Sequence, residues 1–244
     1  MAHPIAILLA MDIEAEGVVS RLHDANESRL GSFLVTSGTL AGAAVVVTTS
    51  GAGGGQAHAA ALELIARQQP SWVISAGFAG GLVPEIRRGD IVMADSVANE
   101  QQNVLSIDLQ LGESDTSAGL HVGRLVSVSD VVVRPDEKRG LGELHGALAV
   151  DLESYSVASV CAQEKVRFMA IRVVSDTVDE PLPEEIRKLL AQDTPAARWG
   201  AVAGSLMRRP SSLRDLWTLR ENAVTGSERL GQFLESVAEQ LAAA

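Results

Sequence analysis

Two carboxylic acids follow apolar segments of the sequence, at positions where a catalytic side chain could reach a bound ligand. Glu153 comes shortly after the apolar run 147–150, and Asp176 comes directly after the run 168–175. Ligands bind at the carboxyl ends of strands in open α/β sheets, so an acid there can donate a proton or stabilise a developing positive charge. Helix capping near the first acid and a turn at the second explain the same spacing equally well.

An arginine inside the second run favours the chemical interpretation. Arg172 lies within an apolar stretch, where a guanidinium is costly to bury unless a carboxylate or a polar ligand accepts its hydrogen bonds. Strand alternation predicts that Arg172, Val174 and Asp176 share one side of the strand. Arg172 therefore needs a partner, which is either a ligand in a site or a carboxylate in a structural ion pair.

A glycine-rich segment, residues 50–55, joins a β-rich run to a predicted helix. Free backbone amides after Ser50, at Gly51 and Gly53, could receive an anion, a ribose hydroxyl or a water molecule. The segment lacks the Gly-Lys-Ser/Thr ending of a phosphate loop, and Gln56 replaces the third glycine of a dinucleotide fingerprint. A tight turn that needs small residues is the alternative.

Acids also begin a predicted helix near the N-terminus, where Glu14 follows Asp12. Acids at a helix start favour its positive end, so capping explains them as well as catalysis does. The five histidines have no metal-ligand spacing, and Cys161 has no suitably spaced companion. We therefore expect no metal and no cofactor.

The composition favours a small-molecule ligand over nucleic acid or a membrane. The chain has 244 residues, of which 46% are hydrophobic, and a formal net charge of -11. That charge repels phosphodiester backbones and anionic membranes. No apolar run reaches the roughly 20 residues of a spanning helix, so no integral membrane segment is expected. The single cysteine and the lack of a signal-peptide pattern predict a cytoplasmic location.

Apolar segments alternate with helix-like segments, which predicts an α/β fold. The predicted strands are residues 5–11, 33–36, 43–50, 72–76, 91–94, 125–133, 147–150 and 168–175, and the predicted helices are 12–22, 56–69, 152–164 and the tail after Pro183. Unbroken apolar strands with helical crossovers predict a single domain, residues 1–244, with three α/β/α layers around a central mixed, mostly parallel sheet. Residues 181–244 form its extended helical C-terminal region, a candidate lid.

Two connecting segments are predicted as loops. Residues 77–81 end the strand 72–76, and their Phe78 is the aromatic side chain best suited to a planar base. The tryptophans are predicted to pack in the interior. The polar stretch 101–119 is predicted to form irregular loops that could line a pocket.

Five motifs, in the same order, resemble those of the nucleoside phosphorylase and nucleosidase superfamily, and of its 5′-methylthioadenosine/S-adenosylhomocysteine nucleosidase branch in particular. They are residues 10–14 (Ala-Met-Asp-Ile-Glu), 50–53 (Ser-Gly-Ala-Gly), 79–82 with 89–92 (Ala-Gly-Gly-Leu and Gly-Asp-Ile-Val), 150–153 (Val-Asp-Leu-Glu) and 171–176 (Ile-Arg-Val-Val-Ser-Asp). The match covers most of the chain, from about residue 5 to residue 179.

The resemblance implies a role for each acid. Asp176 would be the general acid that protonates or hydrogen-bonds N7 of the leaving purine, which requires a raised pKa. Glu153 would hold the ribose hydroxyls and stabilise positive charge on the sugar. Glu14 would orient and deprotonate the attacking water. The family is usually oligomeric, which implies a homo-oligomer, either a dimer or a trimer.

The resemblance also implies a substrate-binding set around these acids. Leu152 stands where the family has a methionine beneath the ribose, and Val132 where it usually has an adenine-stacking phenylalanine. Arg172 would position Glu153 or the sugar. The whole predicted substrate-binding set is Glu153, Leu152, Arg172, Ser50, Gly51, Gly53, Phe78, Ala79, Gly80, Val132 and Ser175.

Other segments resemble a second branch, the hopanoid-associated nucleosidases. The similar segments are residues 131–138, residues 182–183 and the tail 200–210. That branch implies a lipid-linked adenosine as substrate, with the tail as a lid or a lipid-facing helix. An ordinary amphipathic helix with a solvated basic face is the alternative.

The leading hypothesis is a hydrolase that cleaves the N-glycosidic bond of an adenosine-type purine nucleoside and releases the base. Glu14, together with the lack of an obvious arginine set near the N-terminus, favours water over phosphate as the nucleophile. The alternatives within the class are a phosphate-dependent purine nucleoside phosphorylase and an adenosylhopane-type nucleosidase. Outside it are a non-catalytic nucleoside-binding protein and, on the glycine cluster alone, a dinucleotide-dependent oxidoreductase.

Overall fold

A mixed sheet forms the centre of the molecule. The computed structural model describes residues 3–108, 115–183 and 212–243. The strands in this part of the chain are β1 Ile5–Leu9, β2 His23–Leu30, β3 Phe33–Leu40, β4 Ala43–Thr49, β5 Trp72–Gly81, β6 Ile91–Asn99, β7 Val104–Ser106, β8 Leu120–Ser127, β9 Ala149–Asp151 and β10 Arg167–Asp176. The helices are α1 Asp12–Val19, α2 Gly54–Gln68, α3 Pro135–His145, α4 Ser154–Glu164 and α5 Ser212–Ala243. The predicted single-domain α/β fold is confirmed.

Parallel pairing dominates the middle of the sheet. β4, β1, β5 and β10 are successive neighbours, and each pair of them is parallel. β6 joins β10 and β9 joins β5 in antiparallel fashion, while β8 lies parallel between β6 and β9. The strands β5, β10, β6, β8 and β9 therefore close into a ring, and the C-terminal ends of β1, β5 and β10 meet at one edge.

The central strand β1 shows how both faces of the sheet are covered. All of its residues are buried. Ile7 and Leu9 pack with Val18 of α1 and Leu230 of α5. Leu8 points the other way, into a cluster built by α2 and α4. Since side chains alternate along a strand, an unbroken apolar run is what a strand between two helical layers requires.

Several strand predictions were wrong in their bounds. Those at 33–36 and 91–94 end too early, since β3 and β6 continue to Leu40 and Asn99. The segment predicted as a loop at residues 77–81 belongs to β5, because its backbone continues to pair with β10 and then with β9. The strand predicted at residues 125–133 begins earlier, as β8, and ends at Ser127. Glycines in the segment 77–81 and a valine run in the segment 125–133 gave misleading local signals, which tertiary pairing overrides.

Three elements were not predicted from the sequence: β2, α3 and the short strand β7, which pairs with β6 inside the stretch 101–119 that was predicted as loops. In β2 every residue before Leu30 is exposed, so the strand has no apolar alternation and is held by antiparallel pairing with β3. A polar edge strand of this kind discourages pairing with other chains. α3 is mostly polar, and only Lys138, Gly142 and His145 are buried along it.

The C-terminal region is described in part. α5 packs on α1 and on β10, through Leu230, Leu234 and their neighbours. Residues 184–211, which contain the tail motif 200–210 and Trp199, lie outside the described residues. In the described ranges no helix has the combined length and apolar character needed to cross a bilayer.

α1 and α5 cross at very short range. The Ser227 hydroxyl oxygen accepts a hydrogen bond from the Gly17 amide at 2.8 Å, and the hydroxyl donates to the Glu14 carbonyl at 3.1 Å. A Cβ atom on Gly17 would overlap the carbonyl group of Ser227, and one on Gly231 would overlap the carbonyl group of Gly17. These two glycines therefore set the distance between the helices, and with it the position of Glu14.

We expect Gly17→Ala to lower the free energy of unfolding by about 1–3 kcal/mol, because the added methyl forces the two helices apart. Urea denaturation measures the loss. Gly140→Ala is the matched control, since Gly140 is exposed in α3 and an added Cβ meets nothing within 4 Å. Alanine there should leave stability unchanged or raise it by up to about 1 kcal/mol. Equal effects of the two substitutions would contradict the close crossing.

Candidate active site

A cavity of about 350 Å³ opens at the edge of the sheet where β1, β5, β9 and β10 end. Its wall is mostly apolar but includes the acids Glu14, Asp151, Glu153 and Asp176. Glu153 and Asp176 therefore face one cavity, together with an acid from the N-terminal helix. Among the described residues, no group of three His, Cys, Asp or Glu side chains is arranged to hold a metal ion.

Glu14 is held in the wall by main-chain amides. Its Oε2 accepts hydrogen bonds from the amides of Ala10 at 2.9 Å and Met11 at 2.8 Å, and its Oε1 accepts one from Phe78 at 2.8 Å. Glycine is required at position 77, because a Cβ on Gly77 would lie 2.7 Å from Oε1. Burial raises the pKa of Glu14, and the three amides oppose that rise. A fixed carboxylate with increased proton affinity suits a base that takes a proton from water.

Glu153 stands at the N-terminus of α4 and reaches the N-terminus of α2. Its Oε1 accepts a hydrogen bond from the Gly53 amide at 2.8 Å, and its Oε2 lies 3.3 Å from the Leu152 amide. Burial, followed by the charge of Asp151, raises the pKa of Glu153 to about 7, against the opposing charge of Arg172. Glu153 therefore changes charge near neutral pH, and its ionised form can stabilise a cation in the cavity.

This raised pKa predicts that the protein loses stability as pH rises from about 4.5 to about 7. The folded state binds the Glu153 proton more tightly, so the stabilisation is complete below the unfolded pKa and is lost as pH rises through the folded pKa. We expect the free energy of unfolding to fall by about 1–3 kcal/mol more in the wild type than in Glu153→Gln over that interval. Urea denaturation at several pH values tests this, and parallel pH dependences would contradict it.

Asp176 is buried at the end of β10. Its Oδ1 accepts a hydrogen bond from the Ser175 hydroxyl at 2.6 Å, and its Oδ2 accepts one from the Lys138 ammonium. Gly80 lies against the carboxyl group, since a Cβ there would be 3.2 Å from Oδ2. Burial raises the pKa of Asp176, and the charge of Lys138 is the main opposing influence. A carboxyl group in this setting can carry a proton and donate it to a ligand in the cavity.

Lys138 is the main residue near the site that was not identified from the sequence. Its side chain is completely buried and donates to Asp176, to the Thr177 carbonyl at 2.8 Å and to the Glu180 carbonyl at 2.7 Å. Lysine is almost never fully buried without a partner, so the residue type alone gave no reason to expect Lys138 in the interior. The available signal was Pro135 followed by two acids, which is typical of a helix start and places positions 138, 142 and 145 on one face.

Arg172 lies behind the cavity wall. Its Nε and one terminal nitrogen approach Asp151 Oδ2 at 2.8 Å and 2.7 Å, and the same terminal nitrogen donates to the Ser75 hydroxyl at 2.9 Å. A register shift between Val174 and Asp176 interrupts the predicted alternation, so the side chains of Arg172 and Asp176 have different partners. The contacts of Arg172 are those of a structural ion pair, and direct contact with substrate has no support from this geometry.

The glycine-rich turn contacts protein groups. The Gly51 amide donates to the carbonyl group of Ala10 at 3.0 Å, and the Gly53 amide is engaged with Glu153. The Ser50 hydroxyl donates to the Gly51 carbonyl at 2.8 Å. Ser50, Gly51 and Gly53 are absent from the cavity wall that the described residues form. The turn thus holds Glu153 in place, and its contact with a nucleophile stays a prediction.

The remaining predicted residues line the cavity. They are Leu152, Phe78, Ala79, Gly80, Val132 and Ser175. Val128 and Val131 extend the apolar wall beside Val132, and Leu182, Asn222 and Ala223 add the C-terminal region to it. None of the described residues in 101–119 lines the cavity, which corrects that prediction, and residues 109–114 lie outside the described chain.

The chain is similar to known nucleosidases in sequence and in fold. It is 26% identical over 212 residues to the 5′-methylthioadenosine/S-adenosylhomocysteine nucleosidase of Shewanella loihica, covering 77% of this chain and 92% of that protein. The nucleosidase of Tolumonas auensis is 28% identical over 210 residues, covering 76% and 91%. The S. pneumoniae nucleosidase with the transition-state inhibitor MT-ImmA superposes with a TM-score of 0.75 at 20% identity, over 98% of this chain and 99% of that one.

A second solved nucleosidase structure is also similar in fold. The nucleosidase of Neisseria meningitidis in complex with methylthio-immucillin-A has a TM-score of 0.67 at 22% identity, covering 96% of this chain and 99% of that one. The family model of the Phosphorylase superfamily matches residues 4–111 and 102–198. These matched segments contain every acid of the cavity wall. The resemblance noted in the sequence is therefore confirmed, and the chain belongs to the Phosphorylase superfamily.

Proposed function

We propose that this chain is a hydrolase that cleaves the N-glycosidic bond of an adenosine-type purine nucleoside and releases the base. The observation that carries the proposal is that Glu153 and Asp176, from separate segments, face one cavity with Glu14. Membership of the Phosphorylase superfamily and the nucleosidase names of the relatives support this reaction class.

Asp176 acts on the leaving base in this proposal. As the C1′–N9 bond breaks, its electron pair moves to the purine, and Asp176 gives a proton to N7. The base then leaves as a neutral molecule, which is a far better leaving group than an anion. The burial that raises the pKa of Asp176 supports this role, because it favours the protonated form before reaction.

The two glutamates act on the sugar and on the water molecule. Ionised Glu153 binds the ribose hydroxyls and stabilises the positive charge that develops at C1′. Glu14 accepts a proton as the water oxygen bonds to C1′. The water thus supplies hydroxide to the ribose and a proton to Glu14, while the base carries away the proton of Asp176. Return of one proton from Glu14 to Asp176 through solvent completes the cycle.

The charge of the cavity wall supports water as the nucleophile. Four carboxylic acids line the cavity, and its described lining contains no Lys, Arg or His. The nearest cations lie behind the wall, where Lys138 and Arg172 are engaged with Asp176 and Asp151. A phosphate dianion would meet the ionised carboxylates of Glu14 and Glu153 there, whereas water is neutral. Hydrolysis is therefore favoured over phosphorolysis.

The apolar part of the wall supports a purine as the leaving group. Valines at positions 128, 131 and 132 and the ring of Phe78 offer a flat base an apolar surface. Leu182, Asn222 and Ala223 border the same space, which supports the proposal that residues 181–244 cover the site.

Base release from several adenosine derivatives, with and without inorganic phosphate, tests the proposed function. We expect release at the same rate in both buffers. Strict dependence on phosphate would reject the hydrolase and establish a phosphorylase. Tight nucleoside binding without any release would point to a non-catalytic binding protein, and saturable binding of a nicotinamide cofactor would point to an oxidoreductase.

We further propose that the protein acts in the cytoplasm as a homo-oligomer, either a dimer or a trimer. The single cysteine, which cannot form an intramolecular disulfide, supports the location. The usual oligomeric state of the family that the sequence resembles supports the assembly. Light scattering of the purified protein tests the second point, and a monomeric mass at micromolar concentration would contradict it.

A further inference from the structure

Lys138 contacts the proposed general acid from behind the cavity wall. The side chains of Lys138 and Asp176 are 0% and 6% exposed, respectively. The ammonium group has three N–H donors, and its three acceptors are Asp176 Oδ2, the Thr177 carbonyl at 2.8 Å and the Glu180 carbonyl at 2.7 Å. Every donor is therefore engaged, and the ammonium is fixed relative to one particular oxygen of Asp176.

We propose that Lys138 is a positioning residue that determines which oxygen of Asp176 carries the proton given to the purine, an inference that rests on the proposed function. An N–H of Lys138 faces Oδ2, so that oxygen is an acceptor and the acidic proton sits on Oδ1. Oδ1 lies beside Ser175, a residue of the cavity wall. When the C1′–N9 bond breaks, the proton passes from Oδ1 to N7, and the remaining carboxylate is balanced by the ammonium.

The hydroxyl of Ser175 can follow this transfer by rotating. Its oxygen lies 3.2 Å from the Ala79 carbonyl and 2.6 Å from Asp176 Oδ1. One hydrogen cannot serve both acceptors at once. It points to Ala79 while Oδ1 carries the proton, and to Oδ1 once the proton has left. The product carboxylate then has a donor on each oxygen, which favours the charge formed in the reaction.

Two charged groups of opposite sign act on Asp176. Lys138 lowers the pKa of Asp176, whereas the carboxylate of Glu180 raises it. Glu180 accepts hydrogen bonds from Arg88 and from the Thr177 amide, both at 2.9 Å, and its side chain is 43% exposed. The buried charge and the surface charge can therefore be changed separately.

The pH profile of kcat, measured with an adenosine-type nucleoside, tests the inference. Asp176 must be protonated to react, so its pKa sets the alkaline limb. In Lys138→Met, we expect that limb to move upward by about one pH unit or more, because the pKa-lowering charge is gone. The maximal kcat should fall about two- to tenfold, because the proton is then shared between the two oxygens and the acid with the raised pKa gives it up less readily. KM should change little, since Lys138 does not line the cavity.

Three variants serve as controls. Arg139→Met removes the neighbouring exposed cation, which pairs with Asp179, and should leave the limb in place. Lys138→Arg keeps the charge and should also keep the limb. Glu180→Gln removes the carboxylate that raises the pKa of Asp176, so the alkaline limb should move to lower pH.

A folded Lys138→Met variant with an unmoved limb would overturn the inference. If that variant does not fold, Lys138→Gln, which keeps a hydrogen-bond donor but removes the charge, takes its place, and an unmoved limb in that variant overturns the inference. Wild-type protein that releases no base under any condition would reject the proposed function itself. An active wild type whose variants show no shift would reject only the role of Lys138.

Discussion

Asp176→Asn is expected to lower kcat by about 10² or more, while the dissociation constant for a nucleoside changes much less. Asparagine has nearly the shape of aspartic acid and can still hydrogen-bond N7. Its amide has no acidic proton to transfer, so the purine must leave without protonation. Single-turnover base release gives the rate, and calorimetric titration with the nucleoside gives the affinity.

Asp179→Asn is the matched control for this substitution. Asp179 is three residues further along the chain, its side chain is 68% exposed, and it pairs with Arg139 outside the cavity. We expect its kcat to remain at the wild-type value. Asp176→Asn leaves the buried ammonium of Lys138 without its carboxylate, so thermal unfolding of the variant must accompany the kinetics. Unchanged kcat in a folded Asp176→Asn variant would exclude Asp176 as the proton donor.

Arg172→Met is expected to have the largest effect on stability, a loss of about 3–5 kcal/mol in the free energy of unfolding. Arg172 is 1% exposed and Asp151 is 0% exposed as side chains, so neither charge is solvated. Without the guanidinium, Asp151 keeps only the Ser127 hydroxyl and the Ser154 amide as donors. Urea denaturation measures the loss.

Arg167→Met provides the comparison for Arg172→Met. Arg167 lies on the same strand, but it is exposed and stacks over Trp72 at 5.4 Å, which is worth about 1 kcal/mol or less. The double variant Asp151→Leu/Arg172→Met should be more stable than Arg172→Met alone, because both buried charges are then gone. If Arg172→Met and Arg167→Met lose equal stability, the buried pair has no special importance.

Much of the fold was predictable because its signals are local. β1 appears in the sequence as an unbroken apolar run and β10 as an apolar run interrupted by Arg172, and apolar runs are what strands covered on both faces need. Glu153 follows β9 and Asp176 ends β10, and both strands pair with the C-terminal end of β5, β10 in parallel and β9 in antiparallel fashion. The sequence could therefore place each acid after a strand, whereas the antiparallel pairing of β9 with β5, which brings the two acids to one cavity, had no local signal.

The rest depends on partners that are distant in sequence. Lys138 meets Asp176 across 38 positions, and Gly53 meets Glu153 across 100. No local pattern shows that the Gly53 amide is already engaged, or that a β-bulge before Asp176 separates it from Arg172. Hydrogen bonds of this kind are set by the packing of whole layers, so a sequence can place the residues near a site without giving their partners.

The contact between α1 and α5 has a consequence for biosynthesis. Gly17 bonds to Ser227 across 210 positions, and Glu14 itself is bonded through its carbonyl to the same serine. When the nascent chain has emerged from the ribosome up to the end of β10, it already contains every acid of the cavity. It still lacks α5, the helix that holds Glu14 in position. Activity should therefore appear only after α5 has emerged.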